Sequence, residues 1–256
     1  MNVKWGVLST PCIDLDAKKL YVVAWTSKDG SVAAAVHELK EVDITTGAIT
    51  NSLLIQANAA SQTAPGKTPV KLTSSKQKQR SSLLLTSPTF NGQVRKTLFI
   101  PFAMTHEDGD PTHGWLVAVD LKDFKITAAW CASPNGTGVG IWQAGQGPAA
   151  DQNNAIYLMT GNYGVEDQHG NAIAPAAGDL PESLIKLEYT LSNNGTGKLA
   201  PVAESSSNPG VRQLAPALGT AGTIAERLLP VPCSVPWSWS AAVGARLAAS
   251  SASAAS

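Results

Sequence analysis

The densest grouping of side chains able to hold an ion lies in one short stretch, where His106, Glu107, Asp108, Asp110 and His113 fall within eight residues. Asp108 and Asp110, flanking Gly109, offer carboxylate oxygens of the kind calcium takes, and two imidazoles suit zinc. The spacing is not that of an EF-hand loop. His106, Asp108, Asp110 and His113 are therefore candidate metal ligands, against the alternative of an acidic turn whose histidine packs on Trp115. A second group is Trp142 beside Gln143, candidates for holding a cofactor. An indole face can stack on a sugar or quinone ring, and it can equally fill the space between two sheets. Around this pair lie Gly136, Gly138, Gly140, Gly145 and Gly147. They lack the strand-then-helix context of a dinucleotide loop, so their expected role is to let backbones approach closely. Asn135-Gly136-Thr137 and Asn194-Gly195-Thr196 match the glycosylation sequon, a pattern frequent by chance.

Composition removes several function classes. Nineteen basic and nineteen acidic residues balance, which leaves no net field to draw in nucleic acid or an anionic membrane. The longest basic stretch, Lys67 to Arg80, interleaves its charges with Ser, Thr and Gln and reads as a solvated loop. Cys12, Cys131 and Cys233 are odd in number and far apart, which gives neither a disulfide framework nor a metal-binding pair. No apolar run is long enough to span a bilayer, and the N-terminal segment has no signal-peptide core.

The elements that must position these candidates read as short strands. Leu20 to Trp25, Thr97 to Ala103, Trp115 to Asp120, Ile126 to Cys131 and Ile156 to Thr160 are apolar, β-branched or aromatic runs bounded by Gly, Pro, Asn or Asp. The run LYVVAW has the character of a strand buried on both faces. Val32 to Asp43 is alanine-rich but is expected as strand, since a lone helix would have no layer to pack on. The runs recur in order: Tyr21 is followed by Phe99 after 78 residues, and Asp43 by Asp120 after 77. A third period starts near Gly145, with Ile156-Tyr157 matching Leu98-Phe99 and Ser183 to Tyr189 as its third strand. Three four-stranded antiparallel units are predicted, over 7–55, 81–131 and 145–190. Such meanders expose two apolar faces each, and radial stacking into a β-propeller buries them. The fold class is thus all-β, a partial β-propeller of about three blades over residues 1–191. Residues 192–256 are expected to hold the degenerate start of a further blade near Leu218 to Gly222 and an irregular, low-complexity tail.

Glu41 to Gly47, EVDITTG, resembles the AxDxxTG turn of the quinoprotein (PQQ-type) propeller repeat, and Ala118, Asp120 and Trp130 resemble its tryptophan-docking pattern with Phe124 in place of the glycine. Gln79-Arg80 with Leu83 to Leu85, His113 to Trp115, and Gly140 to Asn162 look like segments of an uncharacterised bacterial group in the quinoprotein alcohol dehydrogenase-like superfamily. The resemblance covers residues 6–191 and implies a fragment of a ring whose parent is periplasmic or secreted. It also implies two alternatives in function. One is a non-catalytic propeller that binds a protein, peptide or polysaccharide through its channel-face loops. The other is a fragment of a PQQ-dependent alcohol or sugar dehydrogenase, with PQQ and calcium on that face. The chain has neither the adjacent cysteine pair of PQQ alcohol dehydrogenases nor a CxxCH haem site.

Overall fold

In a computed structural model of the chain, residues 6–59, 69–105, 112–163, 174–202 and 211–213 are described. All of them lie in the first of two compact units, Met1–Ala215. Its described residues form three main antiparallel sheets and two small hairpins. Sheet 1 is a meander of β1 (Cys12–Asp14), β2 (Lys19–Ser27), β3 (Ala35–Asp43) and β4 (Ile49–Leu54). A small hairpin, β5 (Asn58–Ala59) and β6 (Val70–Lys71), follows it. In sheet 2 the first strand is split into β7 (Gln77–Lys78) and β8 (Leu84–Thr86). The hairpin β9 (Thr89–Phe90) and β10 (Gln93–Val94) comes next, followed by β11 (Thr97–Met104), β12 (Trp115–Asp120) and β13 (Lys125–Cys131). Sheet 3 contains β14 (Ala149–Ala150), β15 (Ile156–Met159), β16 (Ser183–Leu191) and β17 (Gly197–Pro201), and β18 (Val211–Gln213) also pairs with β16. No α-helix occurs among the described residues, and no described helix is long and apolar enough to cross a membrane.

The internal repeat is visible in the register. Leu20 pairs with Val42 and Val42 with Ile49; Leu98 pairs with Val119 and Val119 with Ile126. The third strands of sheets 1 and 2 carry a register shift at the same place, between Glu41 and Val42 and between Ala118 and Val119. Asp43 and Asp120 end these third strands and fold the next turn in the same way. Asp43 Oδ1 accepts the Thr45 and Thr46 amides, and Asp120 Oδ2 accepts the Asp123 amide. Gly47 and Phe124, four residues beyond each aspartate, both adopt left-handed backbone, φ 73° and 46°. For phenylalanine this is uncommon, and its ring offsets the strain by packing against the core between sheets 1 and 2.

The sheets stack face to face. Tyr21, Val23 and Leu39 of sheet 1 meet Leu98, Ile100 and Val117 of sheet 2 in one core. Phe99, Leu116 and Ala118, on the opposite face of sheet 2, meet Ile156, Ile185 and Leu187 of sheet 3 in another. The middle sheet is covered on both sides, so every residue of β11 and β12 is buried. This explains why TLFIPFAM and WLVAVD show no polar alternation.

Several elements differ from their sequence-based expectations. β3 begins at Ala35 instead of Val32, because Ser31 opens a turn closed by Asp29 and Ser27. Within Lys67 to Arg80, expected as a solvated loop, β6 and β7 form, and Gln77 and Gln79 are buried. Gln79 is drawn in by the break between β7 and β8. Pro101, which has no amide hydrogen to give, sits opposite that break, and the Gln79 side chain donates to its carbonyl at 3.2 Å. Sheet 3 continues past Tyr189 into a fourth strand, β17, which the sequence does not signal because GKLAP is short and half-polar. The stretch Leu218 to Gly222 lies outside the described residues.

His37 sits in the core between sheets 1 and 2. Its ring stacks on Trp25 at 5.8 Å and meets the edge of Phe102 at 5.2 Å, and its Nδ1 has no partner. Burial pushes its pKa down to about 3. The unfolded chain therefore takes up a proton near pH 6.5 that the folded chain refuses, so stability falls as pH drops from about 6.5 toward 3. The slope from this one residue is about 1.4 kcal/mol per pH unit, or about 2 kcal/mol by pH 5. Urea unfolding of wild type and His37→Phe at pH 7 and pH 5 should show the wild type losing more between the two conditions. Equal losses would refute a neutral buried imidazole.

Candidate functional site

In an antiparallel meander the turn from second to third strand lies at the same end as the connection from the fourth strand to the next sheet. The described residues that end β11, open β12, link β13 to β14 and flank β15 and β16 therefore gather at one end of sheets 2 and 3. Residues Gly138 to Ile141 run as a spine through them. The Gly138 amide donates to Thr112 O at 2.7 Å, and Gly138 O accepts the Gly114 amide at 3.1 Å. On the other side the Val139 amide donates to Asn162 O, and the Gly161 amide donates to Gly140 O, both at 2.8 Å. The Ile141 amide reaches back to Phe102 O at 3.2 Å.

Two glycines permit this braid. A methyl group on Gly114 would lie 1.9 Å from the Val139 carbonyl oxygen, and one on Gly140 would lie 2.8 Å from the Trp142 indole nitrogen. The expected steric role of glycine here holds for Gly140, for Gly147, where a methyl group would lie 2.7 Å from the Ser82 carbonyl oxygen, and for Gly136, where it would lie 1.9 Å from the Tyr163 hydroxyl. The tightest approach to backbone is at Gly114, inside the HGW segment. Gly145, by contrast, has open space around it.

Polar side chains pin the layer from beneath. His113 is buried, with Nδ1 2.8 Å from the Ser133 carbonyl, which fixes the proton on Nδ1 as donor. Its ring meets Trp115 edge-on at 6.5 Å, the packing that stands as the alternative to metal binding. Burial lowers its pKa against the opposing pull of the Ser133 carbonyl and Asp179, so the ring is neutral at pH 7. Asp179 is 6% exposed and accepts the Asn135 amide on Oδ1 at 3.0 Å. Burial raises its pKa, partly countered by Asn135 and by the Tyr163 hydroxyl beside it. Asn135 Nδ2 in turn donates to Ala177 O at 2.8 Å.

Ser133, His113 and Asp179 have the residue types of a hydrolytic triad, and the geometry decides against that chemistry. Ser133 is fully buried, and its hydroxyl donates to Gly138 O at 3.0 Å. The imidazole nitrogen lies 3.4 Å from Oγ and is already committed to the Ser133 carbonyl. A nucleophile needs its base free to take the proton and its oxygen open to substrate. Neighbouring Cys131 is equally unsuited, since burial pushes its thiol up to about 12.

Of the proposed metal ligands, His106, Asp108 and Asp110 lie outside the described residues, and His113 donates from Nδ1 to the Ser133 carbonyl, a bond that leaves the lone pair on Nε2. Among the described residues, no three His, Cys, Asp or Glu side chains converge as a metal site would require. Trp142 is half-buried, laid along the backbones of Gly140 and Gly161 with its indole nitrogen unpartnered. Gln143, held at φ 38°, donates from Nε2 to Gly147 O at 3.2 Å and leaves Oε1 unpartnered. Both side chains therefore stand in the loop layer, Trp142 with its indole Nε1 and Cδ1 close to the two glycines. Ser133, Asn135, Tyr163 and Asp179 carry no sequence signal beyond the chance sequon at Asn135. They are brought together across two sheets.

No protein-family model matches the chain, and no curated protein or solved structure does.

Proposed function

We propose that this chain is a β-propeller segment of the PQQ-repeat type that works as a binding or scaffold module, presenting its loop layer to a protein, peptide or polysaccharide. The observation that carries the binding role is the construction of the layer itself. Among the described residues, Ser133, Asp179 and His113 Nδ1 are engaged in holding loops together, while the backbone is braided into one surface bearing Trp142 and Gln143. A pre-ordered surface binds without the entropic cost of ordering loops on contact. The propeller reading draws support from the shared register of sheets 1 and 2, and from the first strands β1 and β14, both of which neighbour β8 as strands around a common axis would.

The test is to probe the full chain with immobilised peptide and glycan arrays, then map any hit by hydrogen exchange. Protection is expected over residues 135–146. Protection confined to the sheet faces would sink the role of the loop layer. A melting temperature raised by PQQ with calcium would instead favour the oxidoreductase alternative.

A further inference from the structure

The sequence LYVVAW has the character of a strand buried on both faces, yet among the described residues only one face of β2 is covered: Tyr21, Val23 and Trp25 point into sheet 2. On the open face, the register aligns Ile13, Leu20, Val42 and Ile49 in one row across all four strands. Ile13 and Ile49 are 53% and 60% exposed. The same row in sheet 2 is Leu85, Leu98, Val119 and Ile126, and in sheet 3 it includes Ile156 and Leu187. In both of those sheets the row is covered by the preceding sheet, through the face that carries Tyr21 or Phe99. The equivalent face of sheet 3 carries Tyr157, Met159 and Leu184, and it too is open, with Met159 43% and Leu184 37% exposed. The described part of the chain thus displays two open faces in the register of its internal interfaces, each with an apolar row flanked by charges on its third strand, Glu38 and Lys40 in sheet 1 and Lys186 and Glu188 in sheet 3.

We propose that sheet 3 of one copy docks on sheet 1 of a second copy, head to tail, with Tyr157, Met159 and Leu184 covering the Ile13–Leu20–Val42–Ile49 row. The occupant is a second copy because the complementary face is on the same chain, with the register repeated in the two internal interfaces. The contact is heterologous, so it propagates until the rotation closes a ring. It stands whatever the loop layer binds.

The test uses sedimentation equilibrium on the full chain and on two charge-bearing variants. Wild type should associate as concentration rises. Ile13→Glu/Ile49→Glu spoils only the sheet 1 face, and Met159→Glu/Leu184→Glu only the sheet 3 face, so each alone should weaken self-association by at least about tenfold. Mixed together, the two variants retain one intact face of each kind and should form a 1:1 dimer. Such a dimer distinguishes head-to-tail contact from a symmetric one. If either variant melts early, Ile13→Thr/Ile49→Thr and Met159→Thr/Leu184→Thr carry the same expectation. A wild type that stays monomeric overturns the proposal and assigns the face to another occupant, as does a mixture that remains monomeric.

Discussion

Replacing Arg95 with leucine should cost about 3–5 kcal/mol, the range for stripping the partner from a buried charge. Asp120 has no exposed surface, and Arg95 grips it with two nitrogens, Nε at 3.1 Å and Nη2 closer still. Arg95 also reaches Asp123 Oδ2 at 2.9 Å. Burial by itself would raise the Asp120 pKa, but the guanidinium and the Asp123 amide more than offset it and hold the carboxyl below its ordinary value. A depressed carboxyl pKa stabilises the fold above the unfolded value near 4, and that contribution is lost as pH falls through the folded one. In Arg95→Leu the carboxylate stays buried without its cation, so its pKa should rise and the acid limb of the stability profile should move to higher pH. Arg95→Leu/Asp120→Leu should recover most of the loss, because two apolar groups leave no stranded charge. Urea unfolding of the three proteins across pH checks this. A single variant within 1 kcal/mol of wild type would mean that the pair is screened like an exposed one.

Gly114→Ala should cost about 3 kcal/mol or more, at the upper end of overpacking effects. The clash is with a backbone carbonyl, and that carbonyl belongs to Val139, itself fully buried with φ 61°. Neither side can give way without separating β12 from the Gly138–Ile141 spine. Gly47 provides the contrast, with φ 73° and nothing within 4 Å of where a methyl group would sit. Alanine there meets only backbone strain, about 1–2 kcal/mol. Hydrogen exchange should separate the two. Gly114→Ala should expose the Gly138 and Gly161 amides selectively, whereas Gly47→Ala should leave them protected. Indistinguishable protection patterns would argue that the braid is not what holds the loop layer.

The three periods can be read from the sequence because strand identity depends on local facts: apolar runs of strand length, turn residues between them, and an aspartate at the end of two third strands. Tyr21, Phe99 and Tyr157 occupy second strands in their sheets as the repeat requires. β17 is hidden in the sequence because its lysine, glycine and proline suit a sheet edge as well as a loop. Gln79 looks like a solvated residue because nothing local records that Pro101 leaves a gap in the ladder twenty-two residues away.

The candidate site is legible only in part. Trp142, Gln143 and the surrounding glycines stand out by type, as residues that stack or allow close approach. Their tertiary partners decide what they do: Trp142 crowds Gly140 and Gly161, and the tightest approach to backbone is made by Gly114. His113 stands out for its imidazole, and which ring nitrogen carries the proton depends on what faces it. The Ser133 carbonyl, twenty residues on, faces it here. Sequence by itself determined strand order, period and the two-faced apolar character of β2, because those follow from side-chain type along one strand. Only the tertiary structure decided which apolar faces are covered and which polar groups are already spent, since burial and hydrogen bonding depend on chain segments far apart in sequence.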